Sequence, residues 1–273
     1  MKTIASFIIS ILIIGCQHAP TRYPSSEYQL RPHAGLENLS SIANQHVLVV
    51  THATTEFDQD KSAAAGIDQL VGEFKAKGRP VIYLVSDQSE QGYQRWYTTD
   101  RSPDYEIFSE GGEHNLPISA NEVTIIGGFF GSTDTLNGCH ALAVKDAIRM
   151  HFETSNAPLT VHIPIRATYF YQEWNSIRQN LLKDGRIDLD SFGIKKYPFA
   201  SMFFLREGND GAGDDGNEQN FAHFYTGDQN KKYRAGAEVS REKYQFRFYV
   251  NEQLIESVTG AGKRIVNLKM ETR

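Results

Sequence analysis

Cys139 stands in the run Gly138-Cys139-His140-Ala-Leu-Ala-Val-Lys-Asp146-Ala147, beyond an apolar stretch, Asn121–Ile126, that closes on Gly127-Gly128. A cysteine opening a helix beyond a strand has a definite chemical use. The free N–H groups of the first helical turn, together with the helix dipole, stabilise a thiolate and lower its pKa. The same N–H groups can hold an oxyanion. Three histidines could approach the same place: His52 follows an apolar run, His114 lies in Glu110-Gly-Gly-Glu113-His114, and His140 adjoins the cysteine. A Cys139–His pair, with His140 or His114 as base and Glu113 orienting the imidazole, is a workable nucleophile arrangement. A His/Cys/Glu zinc site is chemically possible with the same residues. The plainer reading stands beside both. Three of nine histidines in loops need no joint purpose, and a buried cysteine behaves as a small apolar side chain. Gly127-Gly128 can simply let the chain leave a strand tightly. Gly127-Gly-Phe-Phe-Gly131 lacks the spacing of a dinucleotide fingerprint, so no cofactor is expected, and no metal site is assigned.

The elements that must position these residues alternate between strand and helix. His46–Val50 is a short apolar run of the kind that forms a buried parallel strand. Ile67, Leu70, Val71 and Phe74 share one helical face, with Asp58 or Asp60 as possible cap and Gly78 as terminator. Pro80 opens a second strand, Val81–Val85; Asn121–Ile126 is a third; a helix starts at Cys139; Leu159–Ile163 is a fourth strand. This order predicts a mainly parallel sheet with helices on its faces, and ligands in such sheets sit beyond the carboxyl ends of the strands. Trp174, Ile177, Leu181 and Leu182 predict a further helix stopped by Gly185. Tyr169, Phe170, Tyr171 and Trp174 form an aromatic group read as core, with ring stacking on a ligand as the other use. Phe199–Leu205 is a possible strand. Tyr244, Phe246, Phe248 and Val250 alternate with polar residues as in a half-buried strand. Leu254–Val258, a turn at Thr259–Gly262 and Ile265–Met270 complete an antiparallel meander. The fold class is therefore α/β, a Rossmann-like three-layer domain with a mainly parallel sheet, plus a C-terminal antiparallel β extension.

Over 273 residues, 28 Lys and Arg against 33 Asp and Glu give a net charge of −5. A general nucleic-acid binder needs a basic stripe to displace counterions, which this mildly acidic chain lacks; nucleic acid is not an expected partner. Apolar residues at 40% suffice for a core and exclude a wholly disordered chain. The acidic, glycine-rich stretch Asn209–Glu218 has oxygen ligands suited to Ca²⁺ without EF-hand spacing and reads as a solvated loop.

The N-terminus sets the expected compartment. Lys2 precedes an apolar run, Ile4–Ile14, the length of a secretory h-region and short of a membrane span. The run closes Ile13-Ile14-Gly15-Cys16, which resembles a bacterial lipobox: aliphatic residues, a small residue at the cleavage site, and a thiol that carries lipid. Two or more acyl chains make such anchoring stable. Gln17 follows, and by the same resemblance a residue other than Asp there implies the outer membrane. The expected organisation is a signal peptide over 1–15, a tether over 16–44 carrying Pro20, Pro24 and Pro32, an α/β domain over 45–185, and a β-rich extension over 186–273. With Cys16 lipidated, Cys139 is the one other cysteine and no intramolecular disulfide can form.

The strand-glycine segment, the helix-starting Cys139 and Asp146-Ala147 downstream resemble the isochorismatase-like hydrolase family, which includes nicotinamidases and related cysteine amidohydrolases. Gly78-Arg-Pro-Val-Ile-Tyr-Leu is similar to that family's second strand, and the resemblance covers about residues 45–167. It implies Cys139 as nucleophile. It also implies a general acid/base Asp at the end of the first strand, where this chain has Thr51, and a Lys before the third strand, whereas residues 92–122 contain no Lys. Arg95 and Arg101 do not readily release a proton. The expectation is an envelope protein, anchored in the membrane by its N-terminal lipid and facing the periplasm, whose domain has the fold without that catalytic machinery and binds a small ligand or an envelope protein. The other reading is a periplasm-facing cysteine hydrolase acting on an amide or ester, built on Cys139, His140, His114 and Glu113.

Overall fold

Val47–Thr51 is buried at every position, as a run with no polar alternation requires: both of its faces must be covered. In the computed structural model it is β2, the fourth strand of a sheet that has nine strands among the described residues. The structure describes residues 31–32, 45–53, 63–85, 104–108, 114, 118, 120–130, 138–170, 174–186, 199, 244–258 and 262–272. Its other elements are β1 (Arg31–Pro32), α1 (Ala64–Ala76), β3 (Val81–Val85), β4 (Tyr105–Phe108), β5 (Glu122–Gly127), α2 (Cys139–Thr154), β6 (Leu159–Pro164), a 3-10 turn at Ile165–Ala167, α3 (Asn175–Asp184), β7 (Tyr244–Val250), β8 (Gln253–Val258) and β9 (Arg264–Glu271). The strand order is β1-β4-β3-β2-β5-β6-β9-β7-β8.

Alternate residues of the central strands point to opposite layers. Leu48, Val50, Val81, Tyr83 and Ile126 meet Ile67, Leu70, Val71 and Phe74 of α1 in one cluster. Val47, Val49, Val123, Ile125, Val161 and Ile163 lie on the other face with Ala143, Val144, Ala147 and Ile148 of α2 and Ile177 and Leu181 of α3. Burying each such Val, Leu, Ile or Phe is worth roughly 1.5–3 kcal/mol, so α1 and α2 are held by their apolar stripes. The result is the expected three-layer α/β arrangement.

Several details differ from expectation. The cap position of α1 is Ala63, which makes no side-chain cap bond, rather than Asp58 or Asp60. Within the stretch read as a tether, Arg31 and Pro32 pair antiparallel with Tyr105 and Glu106 of β4. β4 itself has no counterpart in the sequence reading, being four residues long without a sustained apolar run. The C-terminal strands extend the main sheet. β7 and β8 form the expected antiparallel hairpin, but β9 does not complete a meander. It enters between β6 and β7 and runs parallel to both, because its inward residues Val266, Leu268 and Met270 find full burial there. Of the possible strand Phe199–Leu205 only Phe199 is described, and it is helical rather than extended; it is buried and its N–H donates to Glu256 Oε2 at 3.1 Å.

Candidate functional site at the carboxyl end of the sheet

Two glycines set the geometry around Cys139. β5 ends beside β2 with Thr51 opposite Gly127, and Gly127 and Gly128 both take positive φ, +68° and +62°. An L side chain resists that region, and here there is also no room. A Cβ on Gly127 would lie 2.3 Å from Thr51 O, and one on Gly128 would lie 2.9 Å from His140 N, 3.0 Å from Thr51 Cγ2 and 3.2 Å from Cys139 Sγ. The double turn aims the Phe129 N–H at Cys139 Sγ, at 3.2 Å. It also threads the chain past Tyr169: Tyr169 N–H donates to Gly128 O at 3.1 Å, and Phe130 N–H to Tyr169 O at 3.0 Å. The Tyr169 hydroxyl then donates to His52 O at 3.3 Å.

Cys139 occupies the first position of α2, with Gly138 as an extended N-cap that offers no side-chain cap. This is the place the sequence implies, where helix-terminal N–H groups and the dipole favour a thiolate. The residue is nevertheless only 1% exposed.

His140 follows it, fully buried, and its N–H reaches Phe129 O at 3.2 Å. Its Nδ1 lies 2.8 Å from Gly127 O. A carbonyl only accepts, so Nδ1 carries the proton and Nε2 the lone pair; Nε2 is buried without a hydrogen-bond partner among the described residues. The ring packs 5.3 Å from Phe130, which stacks on Phe170 at 5.1 Å. Burial lowers the His140 pKa to about 4, against the opposing pull of the Gly127 hydrogen bond.

His114 is directed to Asp146. Its backbone N–H donates to Asp146 Oδ2 at 2.7 Å, and its Nδ1 lies 3.3 Å from the same oxygen. Asp146 Oδ1 receives Arg149 Nη2 at 2.5 Å, and Arg149 Nη1 reaches Glu153 at 3.0 Å. Burial lowers the His114 pKa, with Asp146 opposing. Asp146 therefore ties a loop residue to α2. Glu113 and Cys16 lie outside the described residues, as do Tyr171 and the acidic stretch Asn209–Glu218. The aromatics Tyr169, Phe170 and Trp174 are buried core residues. Thr51 is fully buried and its Oγ1 has no hydrogen-bond partner among the described residues. The structure thus gathers Thr51, Gly127, Gly128, Cys139 and the His140 backbone at one point, while the His140 ring turns to Gly127 O and the His114 ring to Asp146. Sequence reasoning passes over Phe129, the donor to the sulfur; its place directly after the two glycines is the signal that points to it.

The neutral His140 gives a pH dependence of stability. Between pH 6.5 and about 4 the unfolded chain binds a proton at this position that the folded chain refuses. Stability from this group is full above pH 6.5 and falls as pH drops through that window, by on the order of 3 kcal/mol at its foot. Urea midpoints measured from pH 7 down to 4.5 are expected to fall in the wild type and to fall less steeply in His140→Gln. Equal slopes would mean that the imidazole charges as easily in the folded chain.

No family model and no curated protein matches this chain. Solved structures similar to it include an isochorismatase family protein from Burkholderia thailandensis, at 11% identity over 51% of this chain and 86% of that one, with a TM-score of 0.37. A pyrazinamidase/nicotinamidase from Streptococcus mutans aligns at 11% identity over 51% of this chain and 96% of its own, with a TM-score of 0.36. A ribonuclease from Caenorhabditis elegans aligns at 12% identity over 65% and 89%, with a TM-score of 0.37. Isochorismatase-family folds stand among the structural neighbours. A likeness of this size says nothing about activity.

Proposed function

We propose that the chain is a lipid-anchored protein of the cell envelope, held at the outer membrane through Cys16 and facing the periplasm, whose α/β domain is non-catalytic and binds a small ligand or a protein partner. The observation that carries the non-catalytic reading is where the imidazoles near α2 go. His140 Nδ1 donates to Gly127 O, and the His114 ring sits against Asp146. Neither of these contacts is with the sulfur, and β2 ends in Thr51 rather than in a carboxylate. Binding at this end of the sheet is supported by Thr51 Oγ1. A hydroxyl buried without a partner costs about 1–3 kcal/mol, and a ligand's polar group would offset that.

One observation favours the cysteine-hydrolase reading: Cys139 Sγ accepts the Phe129 N–H at the N-terminus of α2, a setting that stabilises a thiolate. Iodoacetamide separates the two. The chain has two cysteines, so once Cys16 carries lipid the labelling reports Cys139 alone. The expected result is an intact mass with an acylated Cys16 and no labelling of the native protein at pH 7, with stoichiometric labelling after unfolding. Rapid labelling of the native chain below pH 8, with amide or ester turnover that vanishes in Cys139→Ala, would install the hydrolase instead. An unlipidated mature N-terminus would remove the anchor.

A further inference from the structure

At the opposite end of the strands lies a cluster that the Cys139 site does not use. His46 immediately precedes β2, Glu122 opens β5, and His162 sits on β6 opposite Thr124. Their side chains project to the α1 side of the sheet, since Val47, Val123, Val161 and Ile163 project to the other. One donor atom from each of the three lies within 4.8 Å of the others.

The protons can be assigned from the partners. Arg79 Nη1 lies 3.0 Å from His46 Nδ1. A guanidinium only donates, so Nδ1 is a lone pair and His46 Nε2 carries the proton, which goes to Thr124 Oγ1 at 2.9 Å. That Nδ1, held by Arg79, also lies 3.4 Å from Glu122 Oε2, another acceptor. Two acceptors facing each other call for a cation between them. His162 has the complementary arrangement. Its Nδ1 lies 2.7 Å from Glu271 Oε1, so Nδ1 carries the proton and Nε2 the lone pair, and Nε2 is buried without a hydrogen-bond partner among the described residues. An imidazole whose outer N–H is held by a carboxylate while its other nitrogen stays bare is the arrangement metal-binding histidines adopt. Lys269, paired with His162 across the strands, is drawn away to Glu252 at 2.8 Å.

We propose that His46, Glu122 and His162 form a binding site for a divalent cation of the zinc type, joining β2, β5 and β6 at the end of the sheet away from Cys139. Two imidazoles and one carboxylate are a recognised zinc donor set that leaves a coordination position open. Zn–N and Zn–O bonds of about 2.0–2.2 Å place tetrahedral donors about 3.4 Å apart, the spacing His46 Nδ1 and Glu122 Oε2 already have. Arg79 is the resident competitor. Its guanidinium takes the His46 lone pair and also lies 5.7 Å over the Phe74 ring, so it must swing off as the ion enters. Entry is from the Glu122 side, which is 54% exposed.

The test is calorimetric titration of the full, mature chain with ZnCl₂, with Co²⁺ absorption as a second readout. The expected result is one Zn²⁺ per chain and a raised melting temperature. Binding should be weakened about tenfold or more in Glu122→Gln and in His162→Ala, and tightened in Arg79→Gln, which removes the competing cation. Glu122 is half-exposed at the start of its strand, so Glu122→Gln keeps the readout clear if His162→Ala fails to fold. No saturable binding by the wild type at roughly 100-fold excess of metal over protein, or binding that survives Glu122→Gln unchanged, would overturn the site.

Discussion

Asp146→Ala is expected to cost about 3–5 kcal/mol, the usual penalty for removing one partner of a buried ion pair, and so to leave little folded protein if total stability lies near the low end of the common range of about 5–15 kcal/mol. The carboxylate is fully buried on α2 and meets the His114 backbone N–H, the Arg149 guanidinium and the His114 ring. Without it the His114 N–H loses its acceptor in a buried position, and the Arg149 side chain, 20% exposed, loses Asp146 and keeps Glu153. Asp146→Asn retains an acceptor and loses the charge, so it should fall between the wild type and Asp146→Ala. Urea denaturation of the two variants measures both. A loss below about 1 kcal/mol in Asp146→Ala, the scale of an exposed pair, would mean that water reaches the site.

Gly127→Ala should be of similar severity for a different reason. Its φ of +68° costs a non-glycine residue about 1–3 kcal/mol. The added Cβ would also lie 2.3 Å from the carbonyl oxygen of Thr51, on the strand hydrogen-bonded to it. Neither backbone can yield without breaking the β2–β5 ladder. Gly78→Ala separates the two contributions, because Gly78 has a φ of +63° while a Cβ added there would meet nothing within 4 Å. Gly78→Ala is expected to lose about 1–2 kcal/mol from the left-handed backbone alone, and Gly127→Ala about 1–3 kcal/mol more from the added clash. Equal melting temperatures for the two variants would show that the strand junction gives way easily.

The parts of the fold that can be read from residues are those whose pattern is local. The apolar run after His46, the stripe Ile67–Leu70–Val71–Phe74 and the alternation through Tyr244–Val250 each state their own burial within a few residues, and β2, α1 and β7 follow them. The start of α2 at Cys139 is legible for the same reason, from a glycine N-cap followed by a helical run. The position of β9 is not, because Arg264–Glu271 has an alternation that suits either direction of pairing, and the choice is made by a slot between β6 and β7 that exists only in the folded sheet. Side-chain partners divide in the same way. Cys139 can be placed on its helix, but the contact of His114 with Asp146 joins a loop to a helix across 32 positions. His46, Glu122 and His162 come together only through the register of three parallel strands.

The insertion of β9 between β6 and β7 also dictates an order of events. The β7–β8 hairpin emerges from the ribosome before Arg264–Glu271, yet its neighbour in the parallel sheet is that later strand, which itself pairs with β6. Closure of the sheet therefore waits on a pairing between segments separated by about 100 residues. Until Arg264–Glu271 is synthesised, β7 lacks its neighbour in the parallel sheet, and a chain cut short before Arg264 loses the strand that joins the hairpin to β6.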